Sequence, residues 1–191
     1  MAFLNILTGA PYLTTAYLIE QTLYNSYDQN DLRKQIFFRV DLAGITFKGT
    51  YGNTATDLFI GVATDEMYLI RAEGYARSGN LSAAMKDLND LLRTRYAKNP
   101  DGTTKYVDQT AVNEVDALTK IFTERKKQLI LRNVRWTDLR RLNQDPRFAI
   151  TLTRTIGGHL YTLEPNSYRY TFPFPIEIIR ASGMKQNPGW D

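Results

Sequence analysis

The 191-residue sequence contains no cysteine and only one histidine, His159. Without cysteine the chain can form neither a disulfide framework nor a thiolate site. A zinc or iron site would then have only carboxylates beside one imidazole, which is an uncommon set of ligands. The sequence therefore predicts no bound metal, no cofactor and no thiol chemistry.

Long apolar runs are also missing, because Gly9 and Pro11 interrupt the apolar start of the chain. That start has no positively charged segment before it and is too broken to span a bilayer. The formal net charge is +4, but the densest basic segments, 124–127 and 135–141, carry acidic residues within or beside them. Nucleic-acid binding needs a continuous basic stripe, so it is not expected.

No arrangement of residues typical of catalysis is present. The sequence lacks a phosphate loop, a nucleophile elbow and a dinucleotide fingerprint. His159 has no identifiable nucleophile or orienting residue. Asp87 and Asp90 are three residues apart on one helix, where solvent exposure is the ordinary outcome and a glycosidase pair is not indicated. We predict that the chain is not an enzyme.

The strongest local pattern is a helical hairpin in residues 63–96. Its second helix carries one apolar stripe, formed by Leu81, Ala84, Met85, Leu88, Leu91 and Leu92. Gly79 is expected to end the first helix in a left-handed conformation, and Asn80 to cap the second. Thr64 and Asp65 are expected to supply a capping hydroxyl and a first-turn carboxylate. The hairpin resembles one tetratricopeptide (TPR) unit of about 34 residues.

The remaining sequence predicts further helices and a long irregular tail. The expected elements are a helix over 11–27, short strands and loops over 31–60, and helices over about 113–132 and 134–142. The last 48 residues hold five of the seven prolines and many aromatic residues. The predicted fold is mainly α, with TPR-like helical hairpins and a long loop-rich, aromatic and proline-rich C-terminal segment packed on the helices.

Arg125 is predicted to lie in the core, because it shares a helical face with Leu118 and Leu129. A buried guanidinium needs a carboxylate partner. The resulting ion pair would be structural and would hold the helices in register. The candidate partners are three acidic residues on other predicted helices: Glu66, Glu73 and Asp138.

Four segments, in this order and spacing, resemble the C-terminal part of the SusD/RagB family: 72–96, 124–142, 168–179 and 183–190. The helix motif of that family is matched by Glu124, Arg125, Lys126, Arg135, Trp136, Asp138, Leu139, Arg140 and Arg141. Its Phe-Pro-x-Pro motif and its closing Asn-Pro-Gly-aromatic motif correspond to 172–175 and 187–190. Asn133 stands where the family commonly has glycine, and asparagine can adopt the same left-handed conformation.

This resemblance implies a glycan- or nutrient-binding lipoprotein of the outer membrane, at the cell surface of a Gram-negative bacterium. Such a protein is non-catalytic, binds an oligosaccharide or polysaccharide and delivers it to a SusC-like TonB-dependent transporter. Residues 1–191 would be the C-terminal portion of a single SusD-like domain. The N-terminal half is absent from this sequence, and with it the lipid anchor that would be the protein's membrane contact.

Two loop tyrosines are candidate carbohydrate contacts: Tyr51, which lies between glycines, and Tyr106. Sugar rings stack their C–H faces on aromatic rings, although loop packing is the alternative role for each residue. The alternative function is a TPR-like helical adaptor that binds a peptide or protein partner. A carbohydrate-active enzyme is a third hypothesis, but it lacks a carboxylate pair.

Overall fold

The computed structural model describes residues 18–42, 44–48 and 61–190, and the chain divides into two compact units, Met1–Asn133 and Val134–Asp191. In the first unit the described helices are α1 (Gln21–Asn25), α2 (Leu32–Phe37), α3 (Thr64–Arg77), α4 (Leu81–Arg93) and α5 (Glu114–Gln128). Strands β1 (Phe38–Asp41) and β2 (Gly44–Phe47) form an antiparallel pair in the same unit. The first seven residues of the helix predicted over 11–27 lie outside the described residues, and α1 is the helical part of the remainder.

The predicted helical hairpin is confirmed, with α3 and α4 packed side by side and α5 against both. Ala72, Ala76 and Ala84 are completely buried, so the helix backbones approach closely. Five larger apolar side chains that are also completely buried fill the remaining space: Leu69, Leu88, Leu92, Leu118 and Ile121. The core of this unit therefore follows the apolar stripes of the sequence.

Both signals predicted for the turn of the hairpin are present. Gly79 follows Ser78, the C-cap of α3, and has a φ of +81°. The Asn80 side chain accepts a hydrogen bond of 3.1 Å from the backbone N–H of Ala83. The capping role predicted for Thr64 is wrong, because Ala63 is the N-cap and makes no side-chain hydrogen bond. Asp65 does lie in the first turn of α3, where its negative charge interacts favourably with the positive end of the helix dipole.

A second, aromatic core lies beside the helical one. It consists of Tyr27, Phe37, Phe38, Ile45, Phe47 and Ile130. Register pairs Phe38 with Phe47 across the two strands, and the Phe38 ring meets Tyr27 edge-to-face at 5.2 Å. Strands were predicted in this part of the chain, but α2 was not, since six residues are too few to show a helical period.

The second unit contains α6 (Arg135–Leu142), β3 (Leu152–Ile156), β4 (His159–Leu163), a short 3₁₀ turn (Tyr168–Tyr170) and α7 (Ile176–Ser182). Strands β3 and β4 form an antiparallel hairpin around Gly157 and Gly158, and the exposed His159 opens β4. The tail is loop-rich as predicted, but the hairpin and α7 are regular elements that the sequence reading missed. The mainly helical fold class with few short strands is confirmed.

Aromatic stacking organises the tail around Trp136 of α6. The indole N–H of Trp136 donates to the backbone carbonyl of Tyr170 at 3.1 Å. The Phe172 ring lies nearly parallel to the indole, with 5.2 Å between ring centroids and 11° between planes. The Trp-x-Asp-Leu and Phe-Pro segments therefore meet within one unit.

The closing Asn-Pro-Gly-Trp segment is tied to the same stretch of backbone. Asn187 and Trp190 donate side-chain hydrogen bonds of 2.6 and 2.9 Å to the carbonyls of 171–172. Gly189 has a φ of +81°, and a side chain at this position would overlap the Tyr168 ring. Glycine is therefore required there for both conformational and steric reasons.

None of the helices in residues 18–42 and 61–190 combines the length and the apolar composition that crossing a membrane requires.

Two glycine substitutions should have opposite effects on stability. An added Cβ would meet nothing within 4 Å at Gly74 or at Gly79, but only Gly79 has a positive φ, of +81°. Gly74→Ala should raise the free energy of unfolding by about 0.5–1 kcal/mol through helix propensity. Gly79→Ala should lower it by about 1–2 kcal/mol through left-handed strain. Urea unfolding followed by circular dichroism measures both; equal shifts for the two variants would contradict this account.

Candidate functional site

A buried ion network joins α2 to α5. The Arg33 side chain donates from Nη2 to Asp31 at 2.6 Å and to Glu124 at 2.7 Å. Its Nη1 donates to Oε1 of the Gln128 side chain at 3.1 Å. All four residues are buried, with Arg33 only 2% exposed. Asp31 also caps α2 by accepting from the backbone N–H of Arg33 at 3.0 Å. The same carboxylate thus starts a helix and neutralises a buried cation.

Lys127 and Tyr27 complete this network. Lys127 Nζ lies 2.7 Å from Glu124 Oε1 and 3.8 Å from Asp31 Oδ2, and it is 5.0 Å from the centroid of the Tyr27 ring. The Tyr27 hydroxyl donates to the backbone carbonyl of Lys127 at 2.8 Å. Burial raises the pKa of Tyr27 above its usual range, so this hydroxyl stays a donor. Two cations thus face two carboxylates.

A second group, of two carboxylates and two cations, lies between α3 and the end of α5. Arg132 Nη1 donates to Asp65 at 2.8 Å, and the Gln128 amide donates to the other oxygen of Asp65 at 2.7 Å. Glu66 lies 3.2 Å from Arg125 Nη2 and 3.5 Å from Arg132 Nη2. Burial raises the pKa of Asp65, but the hydrogen bonds from Arg132 and Gln128 outweigh it and lower the pKa below the ordinary 3.8.

The three acidic residues considered as partners of Arg125 make different contacts in the structure. Glu66 lies within ion-pair distance of Arg125, at 3.2 Å from Nη2. Glu73 accepts a hydrogen bond of 2.8 Å from Arg77 one turn later on α3. Asp138 belongs to the second unit, where it lies 3.2 Å from Arg141.

The two candidate sugar contacts have different outcomes. Tyr51 lies outside the described residues. Tyr106 is only 7% exposed, its hydroxyl donates to Asn89 at 2.7 Å, and its ring packs on Tyr96 with 4.9 Å between centroids. A sugar could stack on Tyr106 only after this packing had opened, so the ring contributes to loop packing.

An open cavity of about 450 Å³ adjoins the ion network. Its lining combines apolar and charged side chains: Leu32, Arg33, Ile36, Phe37, Ala63, Asp65, Thr94, Arg95, Gln128 and Arg132. Arg95 donates from Nε to Oε1 of the Gln128 side chain at 3.1 Å and from Nη1 to the Thr94 hydroxyl at 2.9 Å. Burial lowers the pKa of Arg95, and the charge of Asp65 opposes this only in part. No group of three or more His, Asp or Glu residues suited to a metal ion occurs in the described part of the chain.

The sequence profile of the SusD family matches residues 64–190, about two thirds of the chain. The chain belongs to the SusD family. This confirms the resemblance drawn from the four motifs. None of the curated proteins compared with the chain matches its sequence.

Two solved structures from Bacteroides vulgatus resemble this SusD-family chain. One, assigned as a sugar-binding protein, is 24% identical with a TM-score of 0.59, covering 89% of this chain and 38% of its own. The other, a SusD-like carbohydrate-binding protein, is 20% identical with a TM-score of 0.54, covering 87% of this chain and 40% of its own. The likeness establishes the fold. The chain spans about two fifths of the length of these relatives.

Membership of the SusD family also confirms the prediction of a non-catalytic protein. The motif residues Glu124 and Arg125 now have a physical role, because Glu124 lies in the network around Arg33 and Arg125 pairs with Glu66 in the second group. The sequence reading missed Arg33, Lys127 and Gln128. The i, i+3, i+4 spacing of Glu124, Lys127 and Gln128 was a usable signal, since it places three polar side chains on one face of α5.

Removing one member of the network should destabilise the fold strongly. Arg33→Met leaves the Asp31 and Glu124 carboxylates buried beside only Lys127, so the free energy of unfolding should fall by about 3–5 kcal/mol. The control is Lys86→Met, because Lys86 pairs with Asp90 on the exposed surface of α4 and should change stability little. Chemical denaturation of both variants measures the difference. Similar losses in the two variants would show that the Arg33 network has no special weight.

Proposed function

We propose that this SusD-family chain is the C-terminal portion of a SusD-like domain that binds carbohydrate without turnover. The observation that carries the proposal is the family match over residues 64–190. The similar folds of proteins assigned as sugar-binding and carbohydrate-binding support it. The tetratricopeptide-like adaptor has no support beyond the single hairpin, which the family fold already accounts for.

The biological setting that we propose follows from the same membership. The domain would belong to a lipoprotein at the outer surface of a Gram-negative bacterium, held in the outer membrane by a lipid anchor. It would deliver oligosaccharides to a SusC-like TonB-dependent transporter.

Exposed aromatic rings of the second unit are candidate sugar contacts. Within residues 18–42, 44–48 and 61–190 the exposed rings are Tyr161, Tyr168, Phe172, Phe174 and Trp190. Phe172 is 66% exposed, and its inner face is held by Trp136, so its outer face is both rigid and open to solvent. A fixed ring of this kind can stack on the C–H face of a sugar with little loss of conformational freedom. We propose Phe172 as a contact, and Tyr51 remains proposed as another.

Glycan screening of the native full-length protein tests the proposal. At least one oligosaccharide should bind, and Phe172→Ala and Tyr51→Ala should each weaken that binding about tenfold through loss of stacking. The matched control is Tyr106→Phe, which keeps the packed ring, removes the hydroxyl bonded to Asn89 and should leave sugar affinity unchanged. Absence of binding to any glycan, with co-purification of a peptide partner, would favour the adaptor alternative instead.

A further inference from the structure

One half-buried cation of the first unit has no carboxylate within ion-pair distance among the described residues. Four cations face four carboxylates in the two groups described above: Arg33, Lys127, Arg125 and Arg132 against Asp31, Glu124, Asp65 and Glu66. Arg95 is a fifth cation in the same region. No carboxylate in the described part of the chain lies within ion-pair distance of it.

The guanidinium of Arg95 is held in place by neutral groups. Its Nε and Nη1 are engaged by Gln128 and Thr94, whereas Nη2 has no hydrogen-bond partner among the described residues. An arginine that is partly removed from water and has no direct ion-pair partner is unfavourable for folding, and a bound anion would relieve that cost. The geometry therefore leaves one oriented donor beside the cavity.

The rest of the cavity restricts what such an anion can be. Leu32 and Ile36 lie one turn apart on α2 and form an apolar wall, and Ile36 is 58% exposed. Asp65 also lines the cavity and would repel a dianion such as phosphate more strongly than a singly charged carboxylate. A volume of about 450 Å³ accommodates a sugar ring.

We propose that this cavity binds a sugar acid, with the carboxylate on Arg95 and one C–H face of the ring against Leu32 and Ile36. The sugar part of the ligand rests on the proposed carbohydrate-binding function. The carboxylate part rests on the geometry of Arg95 alone. A uronic acid residue at the end of, or within, a glycan is the ligand class that has both features.

Calorimetric titration of the full chain with glucuronate and with its neutral isostere glucuronamide tests the charge requirement. Glucuronate should bind at least about tenfold more tightly, since a charge-assisted hydrogen bond replaces a neutral one. Arg95→Gln should abolish this preference. Arg93→Gln is the matched control, because Arg93 pairs with Asp90 and Asp108 and does not line this cavity.

A second variant covers the case in which Arg95→Gln fails to fold. Ile36→Glu places a carboxylate on the exposed wall of the cavity and should weaken glucuronate binding at least tenfold by competing for Arg95. Circular dichroism and thermal melting establish that each variant is folded. Equal affinity for glucuronate and glucuronamide, or an unchanged preference in both folded variants, would overturn the inference. So would acetate binding as tightly as glucuronate, since a sugar acid would then not be the ligand.

A polymer experiment tests whether the bound carboxylate belongs to a glycan. A uronic-acid polymer should bind, and the same polymer with its carboxyl groups reduced should not. If neutral glycans bind and glucuronate does not, the proposed carbohydrate-binding function stands and this inference fails. If glucuronate binds through Arg95 and no polymer or other glycan binds, the inference about the cavity stands and the proposed function fails.

Discussion

The contact between the Arg33 guanidinium and the carboxylates of Asp31 and Glu124 is the constraint on which the first unit depends. Moving any one of these charges out of water alone would cost several kcal/mol, so they are tolerated only together. Glu124 and Arg33 are 91 residues apart in the chain. The short helix α2 therefore gains its place in the fold only when α5 is present.

This dependence explains the residue types of the motif in α5. Glu124 is the shared acceptor for Arg33 and Lys127, and Gln128 uses its carbonyl for Arg33 and its amide for Asp65. A charge change at Glu124 would leave two cations without their shared acceptor. These requirements come from buried electrostatics and make no reference to a ligand, so Glu124 and Gln128 serve the fold of this chain.

The features that could be predicted from the sequence are those that residues close together in the chain determine. The hairpin of α3 and α4 has an apolar period, a glycine stop and an asparagine cap, and Asn133 takes the left-handed φ of +62° expected of it. The short β3–β4 hairpin was missed although Gly157 and Gly158 are a turn signal, because the flanking strands do not alternate between buried and exposed residues. The buried partners of Arg33 were not predictable by period, since they are brought together only by the tertiary fold.

The same network connects stability to the proposed binding site. Gln128 accepts from both Arg33 and Arg95 at 3.1 Å, so one amide group fixes the structural cation and the cavity cation in a single arrangement. The structural cation has direct carboxylate partners, whereas the cavity cation has none within ion-pair distance among the described residues. An anion that reaches Arg95 therefore meets a donor whose orientation was already set during folding, and little further ordering is needed on binding. For this reason we expect Arg95, and not the motif residues, to contact the charged group of the ligand.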